Sequence, residues 1–377
     1  MKTHTRFATK FALTLLAGSA LLGAVPAAAH NNYQNVEVAF VLDTTGSMSG
    51  LIEGAKQKIW SIANEIIDVN DQGQTKIRFA LIGYRDRQDD YVTKSFDMTD
   101  DLHGIYGNLL KLQAQGGGDR PESVNQALSE AVNDLSWSRN NDTLRLVFLV
   151  GDAPPHMDYN QEAQYPATIR RATRKNIIIN TVQAGADHET RRIWKEMAKL
   201  GQGDYAAIAQ NGGMQIIHTP YDQDIEVLQR RINKTSLGYG SISLQSAFRK
   251  KRQQALAAPA PVASDMAEFR LKSGKRNQVI TGVSELVEDY EDGKVDLNTM
   301  DEAALPKTLQ GLSKEERETK LKSLVTERSN LNKKLEKLVK QRETYMDAER
   351  KKLELANKDD GFDSQVRKSI ARQMKMK

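Results

Sequence analysis

Two kinds of apolar pattern alternate along the chain. Nearly unbroken apolar runs at residues 36–42 (VEVAFVL), Lys76–Tyr84 (KIRFALIGY), 144–150 (LRLVFLV) and 177–182 mark strands. Continuous rather than alternating apolar character belongs to strands buried on both faces. Weaker strand signals fall at residues 91–96 and 205–209. Between these runs the apolar residues recur at helical spacing. Leu51, Ile52, Ala55, Ile59, Ala63, Ile66 and Ile67 share one face of a helix over residues 51–67, with Ser49 as its N-cap. Further helices are predicted over 102–112, from Pro121-Glu122 to about Leu135, and over 189–200 and 222–233. Strands alternating with helices predict an α/β fold: a doubly wound, mostly parallel sheet with helices on both faces, spanning residues 30–240. In such sheets a ligand site lies at the carboxyl ends of the strands.

The pattern changes after Gly240. Residues 255–263 (ALAAPAPVA) read as a Pro/Ala linker that does not pack, giving a linker over 241–276. Residues 277–312 promise short helices or irregular chain. Ser313 with Glu316 forms a capping-box signature, and Leu321, Leu324, Leu331, Leu335, Leu338 and Tyr345 follow 3–4 spacing. A coiled-coil-like helix of roughly 40 residues is expected there, opening a mainly α-helical C-terminal region over 313–377. Arg328 and Arg342 occupy positions in its apolar seam. Arginine in the seam favours a hairpin or docking on another surface over a homodimer zipper, and the pattern sets no oligomeric state. Asp359-Asp360-Gly361 ends this helix. A last amphipathic helix carries Phe362, Val366, Ile370 and Met374.

Charge refines this division. The chain has 377 residues and a formal charge of +5, but residues 1–29 carry +3, residues 30–240 carry −5, residues 241–313 balance and residues 314–377 carry +7. The α/β part is therefore mildly acidic, which argues against a nucleic-acid-binding core. Lys2, Arg6 and Lys10 precede an apolar stretch ending in Pro26-Ala27-Ala28-Ala29, an A-x-A pattern. It predicts a signal peptide cleaved after Ala29 and an exported, periplasmic or secreted protein. No later segment is apolar enough to predict a membrane span. There is no cysteine, so no disulfide supports the fold.

Candidate chemistry sits where the first strand ends. In VLDTTGSMSG, Asp43, Thr45 and Ser47 fall at alternate positions of a loop and so turn to one side. Three oxygen donors suit Mg²⁺, Ca²⁺ or Mn²⁺ rather than thiolate-seeking metals. Asp152 follows the 144–150 strand in the same way, behind Gly151.

Asp43-Thr44-Thr45-Gly46-Ser47 after a strand, residues 116–122 (GGGDRPE) in mid-domain and Gly151-Asp152 after a later strand together resemble the von Willebrand factor A domain, most of all its bacterial and hemicentin-like branch. The resemblance covers about residues 35–240. It implies a doubly wound sheet with a metal-ion-dependent adhesion site at its top. By resemblance Asp43, Thr45, Ser47 and Asp152 are metal ligands, with Mg²⁺ the expected ion and Mn²⁺ or Ca²⁺ the alternatives. The middle loop departs from the usual threonine, so that ligand is carried onto Asp119, with Glu122 as the weaker candidate. The ion's open position implies a protein partner presenting a carboxylate. A third carboxylate near the ion weakens that capture, and Arg120 offsets it in part.

Other readings compete with this one. Met48 occupies the serine position of a nucleophile elbow, Gly238-Tyr239-Gly240 does not extend into a phosphate loop, and no kinase motif set is present. The chain is thus expected not to be an enzyme. A metal-assisted hydrolase built on Asp43, Asp152 and His156 is the alternative, with an envelope-associated protein acting through its basic helical tail as another. Asp86, in YRDR, reads as half of an Arg–Asp surface pair.

Overall fold

The computed structural model describes residues 33, 35–69, 75–118, 120–274, 278–356 and 358–375. Residues 1–29, where a signal peptide is expected, and Asp119 lie outside them. Six strands form one sheet: β1 (Asn35–Asp43), β2 (Lys76–Tyr84), β3 (Thr93–Thr99), β4 (Thr143–Gly151), β5 (Ile177–Ala184) and β6 (Gln202–Ile208). Their order is β3-β2-β1-β4-β5-β6, all parallel except β3, which pairs antiparallel with β2. The sheet is doubly wound about β1, with β2 on one side and β4 on the other. Register sets Leu42 beside Val150, so Asp43 and Gly151 leave the sheet side by side at the switch point.

Alternate residues of the central strands feed two cores. On one face Ala39, Val41, Ile82, Val147 and Leu149 pack with α3 (Val124–Asn133), α4 (Tyr165–Arg174) and α5 (His188–Leu200). On the other, Val38, Phe40, Leu42, Leu146, Phe148 and Val150 meet α1 (Ser49–Val69) and the last helix, α11 (Phe362–Gln373). The ring of Phe362 lies edge-on to Phe40, 6.0 Å between centroids. Gln373 bonds Asn180 of β5, and Arg372 reaches Asp204 of β6. The chain's last helix therefore covers the β5–β6 side of the sheet, while α6 (Asp222–Thr235), which follows β6, packs on the C-terminal helices instead.

The linker expected over 241–276 is helix. It forms α7 (Ile242–Leu256) and α8 (Ala260–Lys272), and α8 is buried from Val262 to Arg270. Alanine is the best helix former, and Pro261 sits in the first turn of α8, where proline lacks no needed donor. Composition alone hid this, because the alanines serve close helix contact with α1 and α6. A short helix, α9 (Leu286–Glu291), then leads to α10 (Lys314–Leu355), 42 residues long, with the Ser313–Glu316 capping box formed. α10 docks along α6, α8 and α9.

α1 is buried on its polar side as well as its apolar one. Its Asn64 donates to the Asp265 carbonyl at 3.0 Å, Lys58 pairs with Asp363 at 2.9 Å, and Glu65 pairs with Arg350 at 3.2 Å. Arg342 of α10 binds Asp222, Asp265 and Glu268 at 2.7–2.9 Å, and Arg328 binds Glu285 and both oxygens of Thr235. The two seam arginines are thus the polar anchors of α10.

α2 (Leu102–Leu109) buries His103 against the edge of Trp60. The Thr281 N–H donates to its Nδ1 at 3.2 Å, which requires a neutral ring. Burial holds its pKa down to about 3, Asp101 opposing and Lys251 and Arg270 helping. The unfolded chain takes up a proton near pH 6.5 that folded His103 refuses until about pH 3. Stability from this group is therefore full above about 6.5 and falls by up to about 1.4 kcal/mol per pH unit below it. His103→Asn, compared with wild type by urea unfolding at pH 7 and 5, is expected to lose less stability on acidification. Equal losses would place the acid sensitivity elsewhere. Phe362→Ala is expected to cost about 3–5 kcal/mol by the same measurement; an unchanged midpoint would remove α11 from the core.

Candidate functional site

The first loop after β1 is built around Asp43, which is fully buried. The backbone N–H and hydroxyl of Thr45 both donate to its Oδ1, at 2.8 and 2.7 Å. Thr45 Oγ1 lies 3.3 Å from the Ser47 hydroxyl, so the three side chains converge as expected. Ser47 is exposed and Thr45 buried. A short 3₁₀ turn, Gly46–Met48, follows with Thr45 at its cap position, so Ser49 is the first residue of α1 rather than its N-cap.

Asp43 Oδ2 is buried with no hydrogen-bond partner among the described residues. Beside it runs the end of β4. A Cβ on Gly151 would stand 3.2 Å from that oxygen and 2.3 Å from the Tyr84 hydroxyl. Burial first, and then the charge of Asp152, push the Asp43 carboxyl up to about 7. The Tyr84 hydroxyl is driven well above its usual value by burial and by Asp43, Glu122 and Asp152. Asp152 is half-buried, and its Oδ2 accepts from Gln210 at 2.6 Å; the same amide reaches the Ser47 carbonyl at 3.3 Å. Gln210 carries no sequence signal, being a polar residue in a loop after an edge strand.

The middle loop contributes Glu122. Pro121-Glu122 was expected to begin a helix, yet α3 starts at Val124. Glu122 is instead held as a bridge to residues 154–156: its N–H donates to the Pro154 carbonyl, and the His156 N–H donates to its own. Its carboxyl is buried, and Oε2 has no partner among the described residues. Burial, then the charges of Asp43, Asp86, Asp89 and Asp152, raise it to about 9. Structure therefore brings Asp43, Thr45, Ser47, Asp152 and Glu122 into one neighbourhood. Among the described residues, no three His, Cys, Asp or Glu side chains form a ligand cage by themselves. The donor set is mixed: hard carboxylate oxygens, two of them buried and unpartnered, with two hydroxyls. That chemistry fits a hard divalent cation.

One expectation is corrected. Asp86 is buried, not a surface pair; it accepts from Ser123 at 3.1 Å and Tyr159 at 2.8 Å. Its neighbours are committed elsewhere, Arg87 to Glu162 and Arg85 to the carbonyls of Thr44 and Gln113. The His156 ring stacks on Tyr159 and is taken up by Asp158 at 2.8 Å and Asp86 at 3.6 Å.

A family model for the von Willebrand factor A domain matches residues 37–220. This chain carries a von Willebrand factor A domain. The chain is 31% identical over 139 residues to an ariadne-like RING finger protein of Acanthamoeba polyphaga mimivirus, covering 37% of this chain and 13% of that protein. The chain thus spans about an eighth of the curated relative it matches. Among solved structures, proximal thread matrix protein 1 from the mussel byssus aligns at 14% identity and a TM-score of 0.34, over 47% of this chain and 42% of that one. The SpRpn10 VWA domain aligns at 14% identity and 0.35, over 47% and 88%. Von Willebrand factor A domains commonly bind proteins, and among the described residues no helix is long and apolar enough to cross a membrane.

The crowding at Gly151 makes a test of this packing. Gly151→Ala must push aside Tyr84 or Asp43 and is expected to cost about 1–3 kcal/mol in urea unfolding. A neutral result would mean that the end of β4 does not press on the Asp43 carboxyl.

Proposed function

We propose that the chain is a non-enzymatic, exported module that binds a protein partner through a divalent cation. The observation that carries this reading is the Asp43 carboxyl. One oxygen is fixed by Thr45, the other is buried with no side-chain partner and only the Asp152 backbone N–H to oppose the rise of its pKa, and the Asp152 carboxylate stands close enough to raise it. Leaving such an oxygen unpaired costs about 1–3 kcal/mol or more for a charged group, a cost that a hard cation would offset. Asp43, Thr45, Ser47 and Asp152 would hold the ion, Mg²⁺ first and Mn²⁺ or Ca²⁺ as alternatives. Thr45 spends its proton on Asp43, which leaves its lone pairs for the metal. When bound, the ion supplies a Lewis-acidic position that accepts a carboxylate of the partner.

The metal-assisted hydrolase reading would need a proton carrier other than His156, whose ring is occupied by Asp158, Asp86 and Tyr159. The anionic-surface reading is weakened because some cations of the tail face inward: Arg328 on Glu285, Arg342 on three carboxylates and Arg350 on Glu65.

Calorimetric titration of the chain lacking residues 1–29 with Mg²⁺, Mn²⁺ and Ca²⁺ tests the proposal. Uptake of one ion per chain is expected, weakened at least tenfold in Asp43→Ala and reduced in Ser47→Ala, whose exposed hydroxyl can be removed without disturbing the core. No uptake, or uptake unaffected by both substitutions, would sink the reading.

A further inference from the structure

Arg120 lies between Asp119 and Glu122 in the middle loop, and its side chain is 53% exposed. Its guanidinium pairs with Asp187 and, at 3.6 Å, with Glu189, both at the start of α5. This pairing places it beside the candidate site. Thr190 Oγ1 stands 2.8 Å from Asp187 Oδ1 and 3.2 Å from the Asp152 carbonyl. Arg120 is therefore joined to Asp152 through Asp187 and Thr190. Arg85 and Arg87 in the neighbouring loop differ: the first is almost fully buried on backbone carbonyls, and the second is held by buried Glu162 and lies over the Tyr159 ring.

From this arrangement we infer that Arg120 is a recognition residue for an acidic peptide segment of the partner, kept in reserve by Asp187 and Glu189. The inference rests on the cation-dependent reading above and adds a second point of contact to it. Exposed ion pairs are worth little, so exchanging an internal carboxylate for a partner's costs the chain little. The planar guanidinium matches a carboxylate with two parallel hydrogen bonds, which a partner gains in exchange. The two internal acids are not equivalent. Asp187 accepts from Thr190 N at 2.7 Å and from the Thr190 hydroxyl, caps α5, and is fixed by that role. Glu189 is 54% exposed, caps nothing, and is the acid free to yield.

The test uses poly-L-glutamate as the probe, with its binding to full-length protein measured by biolayer interferometry in the presence of Mn²⁺. Mn²⁺ uptake is measured separately by calorimetry. Arg120→Gln is expected to weaken probe binding roughly threefold to tenfold, the range of one charge-assisted contact at a surface. Arg120→Lys should fall between wild type and Arg120→Gln, since it keeps the charge and loses the fork. Glu189→Gln should tighten binding about twofold to threefold. Mn²⁺ uptake should stay within about twofold of wild type in all three variants. If Mn²⁺ is taken up and all variants bind the probe as wild type does, the Arg120 inference is overturned and the cation reading stands. If wild type takes up no Mn²⁺ but Arg120→Gln still loses probe binding, the cation reading falls and Arg120 remains the recognition residue.

Discussion

A parallel sheet has to be covered on both faces, and here the last helix of the chain supplies part of the cover. α11 lies on β5 and β6 beside α1, with Phe362 set against Phe40 near the middle of the sheet. The helix that directly follows β6 is occupied elsewhere, against α8 and α10. The sheet of the von Willebrand factor A domain is thus covered in part by residues 362–373, far along the chain from β6. α11 is held there by α1, β5 and β6.

Electrostatics makes the same connection. The α/β segment is acidic and the tail basic, and the two meet in buried ion pairs. Arg342 faces three carboxylates, and Arg328 joins Glu285 to the end of α6. Desolvating these groups uses up much of their Coulombic gain, so they are weak sources of net stability. Their effect is to forbid other placements. Sliding α10 by one turn would leave buried charges without partners, a penalty of several kcal/mol per ion. Within the tail's positive charge, Arg328, Arg342 and Arg350 serve docking, while lysines such as Lys333, Lys334, Lys337 and Lys340 stay at the surface.

At the carboxyl end of β1 the physics is reversed. The tail buries charges beside opposite charges, whereas the loops after β1 and β4 and the segment before α3 gather carboxyls that repel one another. Burial and mutual repulsion raise Asp43 to about 7 and Glu122 to about 9. Such a concentration of unpaired acid does not stabilise a fold. It persists because the sheet register sets Asp43 beside Gly151 and because Glu122 is clipped to residues 154–156 by backbone hydrogen bonds.

The strands, their parallel order and the convergence of Asp43, Thr45 and Ser47 were legible from residue pattern, because local periodicity and loop spacing are local properties. The length of α10 and its capping box were legible for the same reason. Three things were decided only by tertiary structure. The Ala/Pro segment became α7 and α8, since close packing against α1 and α6 outweighs what its composition suggests. Asp86 went inside, since Ser123 and Tyr159 arrive from distant segments to receive it. Gln210 joined the site for the same reason, since nothing near it in sequence marks it; Glu122 was named only as the weaker ligand candidate, and the folding of the 154–156 and 209–214 loops brings the two to Asp43 and Asp152. Sequence fixes what each segment can form by itself; which polar groups end up buried together depends on contacts between segments, and those contacts exist only in the folded chain.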